Sequence, residues 1–232
     1  MKKSLRSAFL FFVLAITLGA CTSNSCPNQD QLFLASDDYK PVPADSLKTY
    51  RSFINYLEQS YCIENETKLP VIFFDLKKRL IAPAPGKNII PVSIEPPLCE
   101  GDFKFEFDKI LEIVLDGNNL SIEGKRMSVD SIPQYVYYQY LSFGLIKGFS
   151  RKPQGNGIWI ISELDRPMSD FNPLIDKVIS GYLFTAERLG ESLFDKKLCE
   201  LSQKEMNHLQ SLIQFHLSFK FSDEPKPLLS AD

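Results

Sequence analysis

The first twenty residues limit what the rest of this chain can fold into. Three basic residues, Lys2, Lys3 and Arg6, precede a predominantly apolar run over residues 8–18. A basic start, a short apolar segment and small residues before a cleavage point are typical of a secretory leader. The run is too short to cross a bilayer, which takes about 20 apolar residues. We therefore expect residues 1–20 to be a removable signal peptide, so that only the remaining residues fold, outside the cytoplasm.

The leader ends in the four residues Leu18-Gly19-Ala20-Cys21. They resemble the lipobox of bacterial lipoproteins, in which small residues precede an obligatory cysteine. The resemblance implies that the leader is removed before Cys21 and that lipid is attached to its sulfur. Several acyl chains on one cysteine bury many methylene groups at about 0.8 kcal/mol each, which makes anchoring stable. The alternative is an ordinary signal peptide that happens to be followed by a cysteine.

Charge argues against two classes of partner. Without the leader the chain keeps 23 basic and 29 acidic residues, a net charge of about −6. Nucleic acids and anionic membrane surfaces both favour clustered Lys and Arg, so neither is expected as a partner. We expect lipid, rather than charge, to hold the protein to a bacterial membrane. Thr22 after the cysteine is compatible with sorting to an outer membrane, with the protein facing the periplasm.

The remaining cysteines predict disulfides rather than a metal site. Once Cys21 is lipidated, four are left: Cys26, Cys62, Cys99 and Cys199. An even number in an exported protein suggests two disulfides, and four cysteines allow three pairings. We favour Cys26–Cys62 with Cys99–Cys199; four buried free thiols are the alternative. No CxxC or Cys/His spacing indicates a metal, and no cofactor is expected.

The composition, 44% apolar and 24% charged, is that of a globular protein, and the chain divides into several segments. Residues 21–44 are polar and predict a flexible tether, although Phe33 and Leu34 could dock on the fold. Residues 45–100 predict a small α/β subdomain. Its elements are a helix capped at Asp45-Ser46 with apolar residues over 47–61, a buried strand over 69–76 and an edge strand over 89–94.

Residues 101–222 predict a larger α+β domain, followed by a polar tail over 223–232. In chain order we expect strands over 103–107, 110–115 and 120–122, a helix over 129–142, a strand over 158–161, a helix over 172–183, a helix opening at the Ser202-x-x-Glu205 capping pattern and a strand over 217–221. The predicted fold class is therefore α+β, with a mixed β-sheet and three or more packed helices in two small subdomains.

Part of this larger domain resembles a known family. The segments that carry the resemblance are Ile113-Val114-Leu115-Asp116-Gly117, Leu120-Ser121-Ile122-Glu123-Gly124-Lys125, Met127-Ser128-Val129, Ile158 to Glu163, Asp165, Phe171 and Ile175-Asp176-Lys177-Val178. Their order is similar to that of the periplasmic domain of the ExbD/TolR family of energy-transducing proteins, over residues 110–183. Members of that family carry an aspartate in a membrane helix, and the leader here has no acidic residue. The resemblance therefore implies only docking onto partners or the cell wall, as an accessory to energy transduction or transport.

We interpret the chain as a non-catalytic binding or scaffold module whose partner is an envelope protein or peptidoglycan. Tyrosines favour interfaces because a large rigid ring ends in a hydrogen-bonding group. The candidate partner surface consists of Tyr135, Tyr138, Asp165 and Phe171.

Two other functions stay open. An envelope hydrolase would have to use His208, His216 or the strand-end acids Glu163 and Asp165, none of which stands in a GxSxG or HExxH motif. The second open function is that of a carrier for a small apolar ligand.

The loop over 144–157 does not predict a phosphate-binding site. It is rich in glycine and contains three bases, but it lacks the GxxxxGK[ST] spacing of a phosphate loop, so it predicts a solvated connection.

Overall fold

The computed structural model describes residues 29–34, 38–64, 66–96, 99, 107 and 109–222. Over these residues the chain has an α+β fold with two mixed β-sheets and four α-helices. The predicted leader, Cys21, Cys26, most of the strand expected over 103–107 and the polar tail over 223–232 lie outside the described residues.

The α-helices are α1 (Tyr50–Glu58), α2 (Ile132–Leu141), α3 (Asn172–Phe194) and α4 (Gln203–Leu212). Helix α1 begins at Tyr50, because the Thr49 hydroxyl accepts a hydrogen bond from the Ser52 N–H at 3.2 Å. The predicted cap at Asp45-Ser46 is therefore wrong. Helix α4 opens with the capping box that the sequence predicted.

The first sheet surrounds one buried strand. Its strands are β1 (Tyr39–Pro41), β2 (Leu69–Asp75), β3 (Leu80–Ala82) and β4 (Ile89–Ser93). Strand β4 pairs with β2 along one side, while β1 and β3 share the other side, one after the other. The continuous apolar run of β2 reflects burial on both of its faces.

The second sheet contains β5 (Lys109–Asp116), β6 (Asn119–Ile122), β7 (Lys125–Arg126), β8 (Asn156–Ser162) and β9 (Leu217–Phe221). The strand order is β7-β6-β5-β8-β9, and β5, β8 and β9 run parallel. A two-residue turn joins β5 to β6, and Gly117 has a positive φ of 52° there. The three parallel strands give the sheet a carboxyl edge and an amino edge.

One hydrophobic core joins the two sheets and the helices. Helices α2 and α3 cross closely because Gly181 has no side chain: a Cβ there would lie 2.7 Å from the Cα of Pro133. The two halves of the chain also share backbone contacts. The Glu95 N–H donates to the Leu217 carbonyl at 2.7 Å, and the Tyr50 hydroxyl donates to the Lys220 carbonyl at 2.9 Å.

The second half of the predicted tether belongs to the fold. Residues Gln29–Phe33 form a 3₁₀ helix in which Leu32 and Phe33 are buried, and Tyr39–Pro41 pairs with β2. Phe33 packs on Phe215 with ring centroids 5.0 Å apart. The tether is therefore shorter than the predicted range 21–44. Leu32 and Phe33 are buried in the core, and Tyr39–Pro41 pairs with β2.

The structure also corrects the disulfide pairing. Cys62 is bonded to Cys99, so the favoured pairing of Cys26 with Cys62 and Cys99 with Cys199 is wrong. Cys62 precedes β2 and Cys99 follows β4, and the antiparallel pairing of those strands brings both cysteines to one end of the sheet. Cys199 is also in a disulfide.

Candidate binding surface

The two tyrosines predicted to contact a partner lie together on α2. Tyr135 and Tyr138 are both half-buried, and each packs on Phe149, with ring centroids 5.7 and 5.6 Å away. Phe149 comes from the loop that follows α2, so this loop folds back onto the helix. Both hydroxyl groups have local contacts: Tyr138 accepts a hydrogen bond from the Gln134 side chain at 2.6 Å.

The other two predicted residues lie elsewhere. Phe171 is fully buried and stacks on Tyr50 with ring centroids 4.6 Å apart, so its assignment to a partner surface is wrong. The 3₁₀ turn Met168–Phe171 directs its ring into the core beneath α1. Asp165 is exposed, but its carboxylate accepts a hydrogen bond from the Arg51 Nε at 3.0 Å.

A groove between α2 and α3 is lined by three aromatic side chains. We name it the aromatic groove; it is lined by Asp130, Pro133, Gln134, Tyr137, Tyr138 and Phe184 and has a volume of about 490 Å³. The close crossing of the two helices at Gly181 places Phe184 beside Tyr137, with ring centroids 5.5 Å apart. The ring of Phe184 is 46% exposed.

Charged groups flank this groove at both ends. The guanidinium of Arg188, one turn after Phe184, lies 5.2 Å above the ring of Phe184. At the other end Lys177 and Asp130 form an ion pair of 2.7 Å. Because aromatic rings and arginine carry much of the energy at protein interfaces, this arrangement suits the binding of a partner side chain or peptide.

Sequence reasoning missed Phe184. The helix predicted over 172–183 ends one residue before it, whereas α3 continues to Phe194. The signal was present, because the buried positions Tyr182, Thr185 and Ala186 continue the helical spacing beyond residue 183.

The strand-end acids have structural contacts. Glu163 accepts a hydrogen bond from the Gly117 N–H at 2.9 Å, and that bond holds the pKa of Glu163 below its usual value. The hydrogen bond and charge of Arg51 likewise lower the pKa of Asp165. Both carboxyl groups are therefore ionised at neutral pH, and neither is suited to donate a proton as a general acid.

The histidines do not meet these acids. His216 precedes β9 at the amino edge of the second sheet, where its Nδ1 lies 2.6 Å from Glu95 Oε1. Glu163 and Asp165 follow β8 at the carboxyl edge, and His208 is exposed on α4. The length of the parallel strands separates His216 from the two acids, so the structure does not assemble the hydrolase candidates into one site.

A second cleft lies between the 3₁₀ helix Gln29–Phe33 and α4. It has a volume of about 490 Å³, and its lining includes Asn207, Gln210, Gln214 and His216. The Gln210 amide donates to the carbonyl groups of Gln31 and Leu34 at 2.9 and 2.6 Å. These bonds hold the 3₁₀ helix against α4, so Gln210 has a structural role in this cleft.

The fold and the groove define a class of protein: an α+β domain that presents aromatic side chains on two helices beside a partly parallel sheet. No family model, curated protein or solved structure matches the chain. Within the described ranges, no helix is long and apolar enough to cross a membrane. The same residues hold no group of three or more His, Cys, Asp or Glu side chains placed to bind a metal.

Proposed function

We propose that this chain is a lipid-anchored protein of the bacterial cell envelope that acts by binding a partner in the aromatic groove. The observation that carries the proposal is the exposed ring of Phe184 beside Tyr137 and Tyr138. A lipobox-like sequence ending at Cys21 supports the anchor. The Cys62–Cys99 disulfide supports an oxidising compartment, since cytosolic proteins seldom keep such bonds.

The chemistry of the groove favours an envelope protein over peptidoglycan as the partner. The rings of Tyr137 and Phe184 offer an apolar surface, and the guanidinium of Arg188, which also pairs with Glu191 Oε2 at 3.1 Å, lies at one end. A peptide with an apolar side chain would cover the two rings, and a carboxylate beside that side chain would share Arg188 with Glu191. The resemblance to the ExbD/TolR family suggests that the partner belongs to an energy-transduction or transport system, and Thr22 suggests an outer-membrane anchor facing the periplasm.

Photo-crosslinking in intact envelopes tests the groove. Benzoyl-phenylalanine at position 137 or 138 is expected to give a discrete protein adduct, and the substitution Phe184→Ala is expected to lower its yield. The matched control is the same probe at Lys87, which is exposed on the loop before β4. Equal adducts at Lys87, or none at 137 and 138, would refute the groove as a partner site.

Mass spectrometry of the purified native protein tests the anchor. The expected amino terminus is Cys21, with lipid on its sulfur and its amino group blocked. An unmodified residue 21, or a retained leader, would overturn the anchor while leaving the crosslinking result to decide about the groove.

A further inference from the structure

We propose that the loop over residues 142–152 contacts anionic phospholipid directly and so fixes how the protein lies on its membrane. Four features of the loop support this contact: exposed apolar side chains, a fixed backbone, a local excess of positive charge, and the place of the loop on the molecule. Only the last of them rests on the proposed lipid anchor.

Two large apolar side chains of this loop project into solvent. Leu145 is 89% exposed, the highest fraction among the large apolar residues that the structure describes, and Phe143 is 53% exposed. Their neighbours Phe149 and Ser150 turn inward instead. Phe149 is therefore packed against the fold, whereas Phe143 and Leu145 stay on the surface and do not contribute to the core.

The loop holds these side chains outward in a fixed and strained shape. Phe143 has a positive φ of 48°, a left-handed conformation that a bulky residue rarely adopts. The Gly144 N–H and the Ser142 hydroxyl both donate to the Ser150 carbonyl, at 3.0 and 3.2 Å, which closes the loop at its base. Such strain persists only where the surroundings enforce it, and it concentrates at functional sites.

The charge of the loop is opposite to that of the whole chain. Between Asp130 and Glu163 the sequence has no carboxylate side chain, and its only charged residues are Lys147, Arg151 and Lys152. Lys147 and Arg151 are exposed. The aliphatic stem of Arg151 packs at Gly144, where a Cβ would lie 2.9 Å from its Cγ, so this cation lies beside the exposed apolar pair. The loop is therefore positively charged, although the net charge of the whole chain is negative.

The loop lies at the end of the molecule from which the chain leads back to Cys21. It follows α2 at the amino edge of the second sheet, where the Gln139 amide donates to the Lys109 carbonyl at 2.9 Å. The Tyr140 ring packs on Tyr182, and the Tyr182 hydroxyl contacts the Leu32 carbonyl at 3.4 Å. Seven residues lie between Gln29 and Cys21, and the eight Cα–Cα steps reach at most about 28 Å. One bilayer can therefore hold the acyl chains and meet the loop.

These features together fit a membrane interface better than a protein. Phe143 and Leu145 would enter the boundary between headgroups and acyl chains, while Lys147 and Arg151 would contact headgroup phosphates. Each Lys or Arg near an anionic surface favours the bound state by about fivefold. A partner protein with a matching acidic and apolar surface is the alternative, and it is an outcome of the test.

Quenching by brominated lipid tests the contact. Full-length protein with Leu145→Trp is reconstituted into vesicles of phosphatidylethanolamine and phosphatidylglycerol that carry bromine on their acyl chains. We expect strong quenching of the new tryptophan, after subtraction of the signal of Trp159, which is largely buried. The control is Leu80→Trp on β3, a 37% exposed apolar position whose neighbour Ile81 contacts Asn172 at the start of α3, near the carboxyl edge and away from the loop, and for which we expect no quenching. Phosphatidylcholine vesicles should weaken the signal at 145.

A pair of charge reversals tests the electrostatic part. In the Leu145→Trp background, Lys147→Glu with Arg151→Glu removes two cations and should lower the ratio of docked to free loop by roughly 30-fold or more. The control reverses Lys125 and Arg126, two exposed bases on β7, and should leave the quenching unchanged.

The possible results distinguish the proposed membrane contact of the loop from the proposed lipid anchor at Cys21. Protein that is held on the vesicles without quenching at 145 overturns the loop contact and leaves the anchor in place. Protein without lipid on Cys21 overturns the anchor, and quenching at 145 on adding the same vesicles still supports the loop. A benzoyl-phenylalanine probe at 145 that forms a protein adduct in envelopes, rather than a lipid adduct, would overturn the proposal in favour of the protein alternative.

Discussion

Two glycines of α3 should respond with opposite signs to the same substitution. Gly181 and Gly190 both lie inside the helix Asn172–Phe194, where alanine is preferred over glycine by about 1 kcal/mol. The gain from helix propensity is thus similar at both positions. Any difference between Gly181→Ala and Gly190→Ala must come from what the added methyl group meets.

The surroundings of the two positions differ sharply. A Cβ at Gly181 would lie 2.7 Å from the Cα of Pro133 and 2.9 Å from the Cβ of Val136, so α2 would have to move. Overpacking of this kind costs about 1–3 kcal/mol, so after the propensity gain of about 1 kcal/mol the net effect is a loss of up to about 2 kcal/mol. At Gly190 the nearest atom, Leu201 Cδ1, is 3.4 Å away, so most of the propensity gain should remain.

Equilibrium urea denaturation, followed by the fluorescence of Trp159 and by circular dichroism, measures both effects. We expect Gly181→Ala to lower the free energy of unfolding and Gly190→Ala to raise it by about 0.5–1 kcal/mol, a difference of about 2 kcal/mol between the variants. If Gly181→Ala were as stable as Gly190→Ala, the close crossing of α2 and α3 would be refuted. The aromatic groove depends on that crossing, so its geometry would be refuted as well.

Three further outcomes are expected. Replacing Cys62 and Cys99 by serine opens a loop with a sequence separation of 37 and should cost about 4 kcal/mol in chemical denaturation; an unchanged midpoint would argue against the bond. The hydrogen bond from Lys196 lowers the pKa of Glu205 to about 2 from 4.5. Its stabilisation is therefore fully present above about pH 4.5 and is lost as the pH falls towards 2, so Glu205→Gln should flatten this part of the stability–pH curve, whereas an equal slope in both proteins would contradict it. Phe143→Asn relieves a left-handed backbone and should raise stability by up to about 1 kcal/mol while weakening the contact with anionic vesicles; lower stability would show that the strain is absent.

Local patterns predicted most of the second half of the chain. The hairpin at Gly117, the capping box at Ser202 and the final strand Leu217–Phe221 form as expected, because each depends on a few adjacent residues. The extension of α3 beyond residue 183 was missed although Thr185, Ala186 and Gly190 keep the buried helical spacing, because these small residues give a weaker pattern than the large apolar residues before them.

Long-range pairing was the part that the sequence could not predict. The Cys62–Cys99 bond depends on the register of β2 with β4, which no local pattern encodes. The assignment of Phe171 to a surface failed for the same reason, since its burial depends on α1, more than a hundred residues earlier in the chain. The groove was only partly predictable: Tyr138 was identified on α2, whereas Phe184 reaches it through the contact of two helices.

The contacts between the first half of the chain and β9 have a consequence for the export proposed above. A polypeptide that crosses a membrane amino end first delivers Tyr50 and Glu95 long before their partners Lys220 and Leu217. Until the last strand arrives, the apolar side of β8 and the rings beneath α1 are open to water and to other emerging chains. Closure is therefore a late event with high contact order, and on the proposed export route the polypeptide would stay open until it is nearly full length.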